Sequence, residues 1–237
     1  MKISKLAGKL IKCKPCGAVI VAAGSASRMG GIDKVMAPLG GVPMIVHTVR
    51  AFQNCDTIKE IVIVTREDLI KPISTHCRDF SKVSCVVAGG ADRPASVQNG
   101  LKALSKKMKL AAIQDGARPL ITPEVIDRTV RAAHSYSAAA PAIPVKDTIK
   151  TVQGSIVTNT PERKTLFAVQ TPQVFDIDLL NSALQKAKND KAEITDDCSA
   201  VERMGMSVKI VEGDERNIKI TTPFDLKLAQ LLLEEEV

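Results

Sequence analysis

The sequence predicts an α/β fold: a mostly parallel sheet with helices on both faces. Short β-branched apolar runs recur along the chain, and apolar residues at helical spacing fill most of the intervals between them. At 237 residues, 45% hydrophobic and 25% charged, the chain has ordinary globular composition and can bury one large core or two small ones.

The first run, Gly17 to Gly24, is β-branched in its middle and bounded by glycine, which reads as a buried strand. Further strand-like runs are Ile61–Thr65, Cys85–Ala88, Ala111–Gln114, Ala138–Ile143, Leu166–Gln170 and Val208–Val211. Between them, Met44–Phe52 and Ala95–Leu104 carry apolar residues at helical spacing. Val125–Ala133 follows Thr122 as N-cap and Pro123 as first helical residue. The last helix starts the same way, with Thr222-Pro223 and with Asp225 completing a capping box. In parallel sheets ligands bind beyond the carboxyl ends of the strands, so the loops after Ala22, Ala88 and Gln114 are expected on one rim.

The loop after the first strand, GSASRMGGIDK, combines small residues with Arg28 and Lys34. Small side chains let main-chain N–H groups approach phosphate oxygens, and the two cations supply charge. It is neither of two familiar phosphate loops. In a Walker A loop lysine follows the second glycine, whereas Gly30 is followed by Gly31, and the dinucleotide fingerprint requires glycine where Ala26 stands. Taken alone, such a loop is more often an ordinary turn between strand and helix.

Lysine and arginine number 33 against 26 acids, a net charge of +7 that suits an anionic partner: nucleotide, sugar phosphate or nucleic acid. Modules that read single-stranded nucleic acid stack bases on aromatic rings, and no Trp, one Tyr and five Phe argue against that class. Lysines 2, 5, 9, 12 and 14 followed by an apolar stretch resemble a secretory signal. That stretch is the phosphate-loop strand itself, so a cytoplasmic protein is expected. No apolar run reaches the 18 residues of a membrane span. The six cysteines are expected to be free thiols. Cys13 and Cys16 have the spacing of half a zinc site, but no second pair follows.

Residues 145–165 interrupt the alternation. Two β-like runs flank Gln153-Gly154-Ser155, with few core-forming residues, which predicts a hairpin arm. An isolated two-stranded arm is marginally stable in water, so it is expected to pack on a second subunit, the alternative being an excursion lying on its own domain.

Three further segments are expected on the rim. AGGADRPASV (88–97) has a glycine pair able to approach a base or ribose, with Ser96 opening the next helix; QDGARP (114–119) puts Asp115 and Arg118 at a strand end; NIKITT (217–222) carries Lys219 on a short strand ahead of the final helix. Separately these read as a turn, a solvated ion pair and a surface lysine. Together they suit phosphate chemistry, since Asp115 is a good magnesium ligand: Mg²⁺ takes one or two carboxylates plus substrate phosphates.

AAGSASRMG, Lys34 with APLGGVP, GGADRPASV, DGARP, PVKDT, QTPQ, ITDD and EGDERNIKITTP occur in the order found in 2-C-methyl-D-erythritol 4-phosphate cytidylyltransferases. The chain resembles that family of the non-mevalonate isoprenoid pathway from about Gly17 onward, leaving residues 1–16 as a basic extension and 17–237 as one domain that includes the arm. The resemblance implies a Rossmann-like nucleotidyltransferase domain and a homodimer held partly by the arm. It also implies magnesium-dependent transfer of CMP from CTP to a polyol phosphate. Ala22, Ala23 and Gly24 match the cytosine-nucleotide loop, Arg28 and Lys34 the basic pair on the triphosphate, and Gly90 and Ser96 the base-recognition loop. Asp115 matches the metal-binding acid and, with Arg118 and Thr171, the surroundings of the acceptor phosphate; Lys219 matches a second lysine at the reacting phosphate. Thr148 and Arg163 match arm residues that reach the partner subunit's acceptor.

Four positions depart from the usual pattern: Asp33 for proline, Val35 for glutamine, Ala91 for an acid and Gly116 for alanine. None removes a charge the chemistry needs. Ribitol 5-phosphate cytidylyltransferases share most of these motifs, and UTP-dependent sugar-1-phosphate nucleotidyltransferases are more distant; the short chain, PVKDT and TPQ favour the first family. A basic nucleic-acid-binding protein would account for the charge but would leave the rim motifs without a purpose.

Overall fold

A computed structural model of the chain describes residues 13–24 and 33–235. Among these, β1 (Cys16–Ala22) runs through the middle of the main sheet. A short hairpin, β2 (Pro38–Leu39) and β3 (Val42–Pro43), leads into α1 (Met44–Gln53), followed by β4 (Ile58–Thr65), α2 (Glu67–Cys77), β5 (Val83–Ala88) and α3 (Arg93–Ala103). Next come β6 (Leu110–Asp115), α4 (Pro123–Tyr136), β7 (Ala138–Pro144) and the arm strands β8 (Thr151–Gln153) and β9 (Ile156–Asn159). The chain continues through β10 (Phe167–Val169), β11 (Gln173–Asp176), α5 (Ile177–Asn189), α6 (Asp197–Glu202), β12 (Lys209–Glu212) and α7 (Pro223–Glu234).

β5, β4, β1 and β6 are mutually parallel neighbours, and β12 is parallel to β7; β10 and β11 run antiparallel to their partners. The expected mostly parallel sheet is therefore present. Alternation along each strand divides the core. Val19 lies opposite Val62 and Ile113, and all three join Val97 and Leu101 of α3, Leu180 and Leu184 of α5 and Val201 of α6. Ile20 and Ile63 face the other way, onto Phe52 of α1, Ile73 of α2 and Val125, Ile126 and Val130 of α4. Truncating one of these buried aliphatic side chains to alanine would cost about 2–5 kcal/mol. A third cluster seats Ala229 of α7 with Leu39, Met44, Ala117, Leu120 and Ile220, which ties the C-terminal helix to the rim.

Caps place several helices as the sequence predicts. Thr122 accepts from Val125 N with Pro123 in the first turn, and Thr222 and Asp225 form the capping box of α7. The third helix differs: it begins at Arg93 because the Asp92 carboxylate caps it, accepting from Ala95 N at 2.7 Å, so Ser96 lies inside the first turn and does not open it. The arm is the predicted hairpin, β8 against β9, turning at Gly154 with φ of +61°. Ile156 and Val157 on it are exposed.

β10 and β11 share one side of β7. Val169 lies opposite Ala142 and Val174 opposite Ala139, so the intervening residues exceed what the ladder needs. There Gln170 N still donates to Pro141 O of β7 while its side chain donates to Asp214 O, and Thr171 Oγ1 accepts from Asp115 N at the end of β6.

Candidate active site

At the carboxyl ends of β1, β5 and β6 lies a cleft of about 370 Å³. The backbone of Ala22, Ala23 and Gly24 forms one wall, Gly90 and Ser96 a second, and Lys34, Asp115 and Lys219 contribute charged groups. The three loops predicted to share a rim do so.

Sterics shape the walls. A Cβ on Gly90 would lie 2.4 Å from Ala95 Cβ and 2.9 Å from the Ala95 carbonyl carbon, so this turn closes onto α3 only with glycine. Ser96 Oγ accepts from Gly90 N at 3.0 Å and donates to Asp92 O, bracing the same turn. Lys34 opens a short 3₁₀ turn whose N-cap is Asp33: that carboxylate accepts from Val35 N at 3.1 Å and also pairs with Arg66. The replacement of proline by Asp33 thus substitutes an ion-paired cap.

Asp115 ends β6 with its carboxylate almost buried, and three cations surround it. Lys219 Nζ is 2.8 Å from Oδ2, Arg118 Nε 3.8 Å from the same oxygen, and Arg93 Nε 3.7 Å from Oδ1. Burial alone would raise its pKa, but Lys219, Arg93 and Arg118 outweigh burial and hold the carboxyl below its usual range.

The supports of this cluster come from distant segments. Thr171 Oγ1 accepts from Asp115 N at 3.1 Å. Arg118 Nη1 donates to Asn217 O at 2.6 Å, and the fully buried Asn217 amide donates to Gln170 Oε1 and Thr171 O. Ile220 N donates to Ala117 O, so residues 217–220 lie along 115–118 and bring Lys219 beside Asp115.

The structure therefore gathers Ala22, Ala23, Gly24, Lys34, Gly90, Ser96, Asp115 and Lys219 around one cleft, with Arg118 and Thr171 directly behind Asp115. Thr148 and Arg163 are exposed at the base of the arm and are not among the described residues lining the cleft. Arg163 Nη1 donates to Lys146 O, and Lys146 pairs with Glu215 at 2.5 Å. Arg28 lies outside the described residues. Sequence reasoning assigned nothing to Arg93, Asp197, Asn217 or Gln170; all four stand inside the quoted motifs GGADRPASV, ITDD, EGDERNIKITTP and QTPQ, whose order was the available signal.

A parallel-sheet domain that sets open backbone, two lysines and an ionised carboxylate at its strand ends has the makings of an α/β nucleotidyltransferase. Residues 16–235 match the 2-C-methyl-D-erythritol 4-phosphate cytidylyltransferase family, and the chain belongs to that family. The enzyme of that name from Caldanaerobacter subterraneus subsp. tengcongensis is 43% identical over 221 residues, covering 91% of this chain and 97% of the relative. Its namesake from Symbiobacterium thermophilum is 44% identical over 225 residues, covering 94% of each. Among solved structures, the 4-diphosphocytidyl-2C-methyl-D-erythritol synthase of Anaerococcus prevotii superposes with a TM-score of 0.86 at 31% identity, over 93% of this chain and 96% of that one. The Thermus thermophilus cytidylyltransferase gives 0.76 at 30% identity, over 91% and 98%. No helix among the described residues is long and apolar enough to cross a membrane.

Proposed function

We propose that the chain transfers CMP from CTP to 2-C-methyl-D-erythritol 4-phosphate, giving 4-diphosphocytidyl-2-C-methyl-D-erythritol and diphosphate in isoprenoid precursor synthesis. The observation that carries the reading is the cleft wall on which Lys219, Arg93 and Arg118 surround ionised Asp115, with Lys34 on the same cleft. A phosphate-monoester oxygen of the acceptor attacks the α-phosphorus of CTP, and the bond to the bridging oxygen breaks to release diphosphate. The monoester's second pKa is about 6, so the nucleophile is already anionic at neutral pH and no general base is required. The chain's task is to bring two anions together and to stabilise charge on the leaving diphosphate. Lys34 and Lys219 do this, joined by Arg28 on the strength of the sequence resemblance. Ala22–Gly24, Gly90 and Ser96 hold the nucleotide, while Arg118 and Thr171 hold the acceptor side.

The donor set suits magnesium. Asp115, ionised and lining the cleft, would offer the ion a hard carboxylate oxygen. Mg²⁺ commonly binds through one or two carboxylates plus substrate phosphates and water. Bound there, the ion supplies charge neutralisation on the phosphates.

The arm carries the second part of the reading, a homodimer. Val152, Ile156 and Val157 are exposed on a two-stranded hairpin too small to be stable alone, with Ile149 exposed just before it, which supports a partner subunit covering the arm. Thr148 and Arg163 then serve the partner's acceptor site.

The test offers the purified protein CTP and Mg²⁺ with methylerythritol phosphate and ribitol phosphate separately, and follows diphosphate release. Release with methylerythritol phosphate is expected. Release only with ribitol phosphate would move the acceptor assignment, and release with neither would overturn the reading.

A further inference from the structure

Arg93 lines the cleft beside Asp115, and no step of the reaction above is assigned to it. It stands at the first position of α3, and its guanidinium bridges two carboxylates: Nε lies 3.7 Å from Asp115 Oδ1 and Nη2 lies 2.8 Å from Asp197 Oδ2. Asp197 is fully buried at the start of α6, on the far side of Arg93 from the cleft. Its Oδ1 has no hydrogen-bond partner among the described residues, an arrangement that costs stability. Its position is fixed independently of its side chain: the backbone N–H groups of Asp197 and Cys198 donate to Gln173 Oε1, and Gln173 Nε2 donates to Asp196.

We propose that Arg93 is a positioning residue, anchored by the buried carboxylate of Asp197, that fixes the orientation of the Asp115 carboxylate in the cleft. A planar guanidinium reaches both carboxylates at once, whereas an ammonium offers a single point of charge. Lys219 and Arg118 hold one oxygen of Asp115 and Arg93 faces the other, so the carboxylate is held from both sides. A buried Arg–Asp pair kept for packing alone would be replaceable by apolar residues at no cost to stability. The arrangement serves instead to present Asp115. The inference rests on the role proposed for Asp115.

The test is a substitution cycle in the full chain. Asp197→Asn keeps the anchor's shape and removes its charge, Arg93→Lys keeps charge and loses the bridge, and Asp115→Asn is the background in which both are repeated. Measured are kcat from diphosphate release, KM for CTP, the thermal midpoint, and the ¹³C resonance of the Asp115 carboxyl, assigned by its absence in Asp115→Asn. Asp197→Asn and Arg93→Lys should each lower kcat about tenfold, leave KM for CTP within about twofold, and lose their effect in the Asp115→Asn background, as expected for groups acting through one partner. The Asp115 resonance should move in both single variants. Equal losses of kcat in both backgrounds, or folded variants with unchanged kcat and resonance, would overturn the proposal. If either variant fails to fold, the other decides. If the parent protein releases no diphosphate, the functional reading fails separately and the resonance alone decides: unmoved in Asp197→Asn, it overturns the positioning role.

Discussion

Replacing Asn217 by alanine removes a buried amide that joins three parts of the site. The side chain donates to Thr171 O at 3.0 Å and to Gln170 Oε1 at 3.3 Å, while its backbone carbonyl accepts from Arg118. Gln170 Oε1 keeps a second donor, Asp214 N at 3.2 Å, whereas no other donor to Thr171 O is found among the described contacts. Two side-chain bonds at about 1 kcal/mol each, plus about 1–2 kcal/mol for an orphaned buried carbonyl, give a loss of about 3–4 kcal/mol. For a chain of this size that lowers Tm by about 10 °C. The kinetic consequence falls on the acceptor side, because Arg118 and Thr171 lose a shared brace and Lys219 is two residues away. We expect kcat to fall about tenfold and the acceptor KM to rise, with KM for CTP within about twofold of the parent. Calorimetry gives the first number and steady-state diphosphate release the others. A Tm drop of less than about 3 °C, or equal rises in both KM values, would refute the reasoning.

Lys34→Ala should leave folding intact and slow diphosphate release about a hundredfold, the cost of one preorganised donor at a charged transition state; a rate within about threefold of the parent would remove Lys34 from that role. Arg163→Ala should raise the acceptor KM with little change in CTP binding, and light scattering should find a dimer; a fully active monomer would argue against a shared site. In the α7 cap, the Asp225 carboxylate accepts from Thr221 N, Thr221 Oγ1 and Thr222 N, bonds that outweigh its burial and hold its pKa below the usual 3.8. A depressed folded pKa adds stability that is present above the unfolded value and is lost as pH falls through the folded one. Asp225→Asn should therefore cost about 1 kcal/mol in urea unfolding at pH 7 and nothing once acid has protonated the parent; a cost that persists unchanged in acid would contradict the assignment.

The strands and the rim were legible because their signals are local: apolar runs ending in Gly24 or Asp115, and Thr-Pro starts before α4 and α7. Other elements announced themselves less. Pro72 lies inside α2, which has no side-chain cap, and the four residues of β11 emerge from an interrupted ladder. The third helix starts early because Asp92, not Ser96, holds its cap. At the site, Asp115 and Arg118 were readable as charges at a strand end and Lys219 as a lysine ahead of the final helix, though not in the short strand expected there. What links them was not. The bridge from Arg93 to Asp197 and the amide network of Gln170 and Asn217 join residues far apart in sequence, and no spacing rule encodes such partners. Resemblance reached the motifs that contain all four but not their contacts.

The short segment from Asn217 to Ile220 carries a consequence for how the protein comes into being. It contributes no strand to the sheet, yet it supplies Lys219, receives Arg118 and seals Ala117 through Ile220, with α7 behind it. Contacts that close such long loops form late, after local and sheet pairings have reduced the entropy they must overcome. The charged cluster of the cleft is therefore complete only once this segment and α7 have docked on the sheet that the earlier strands build.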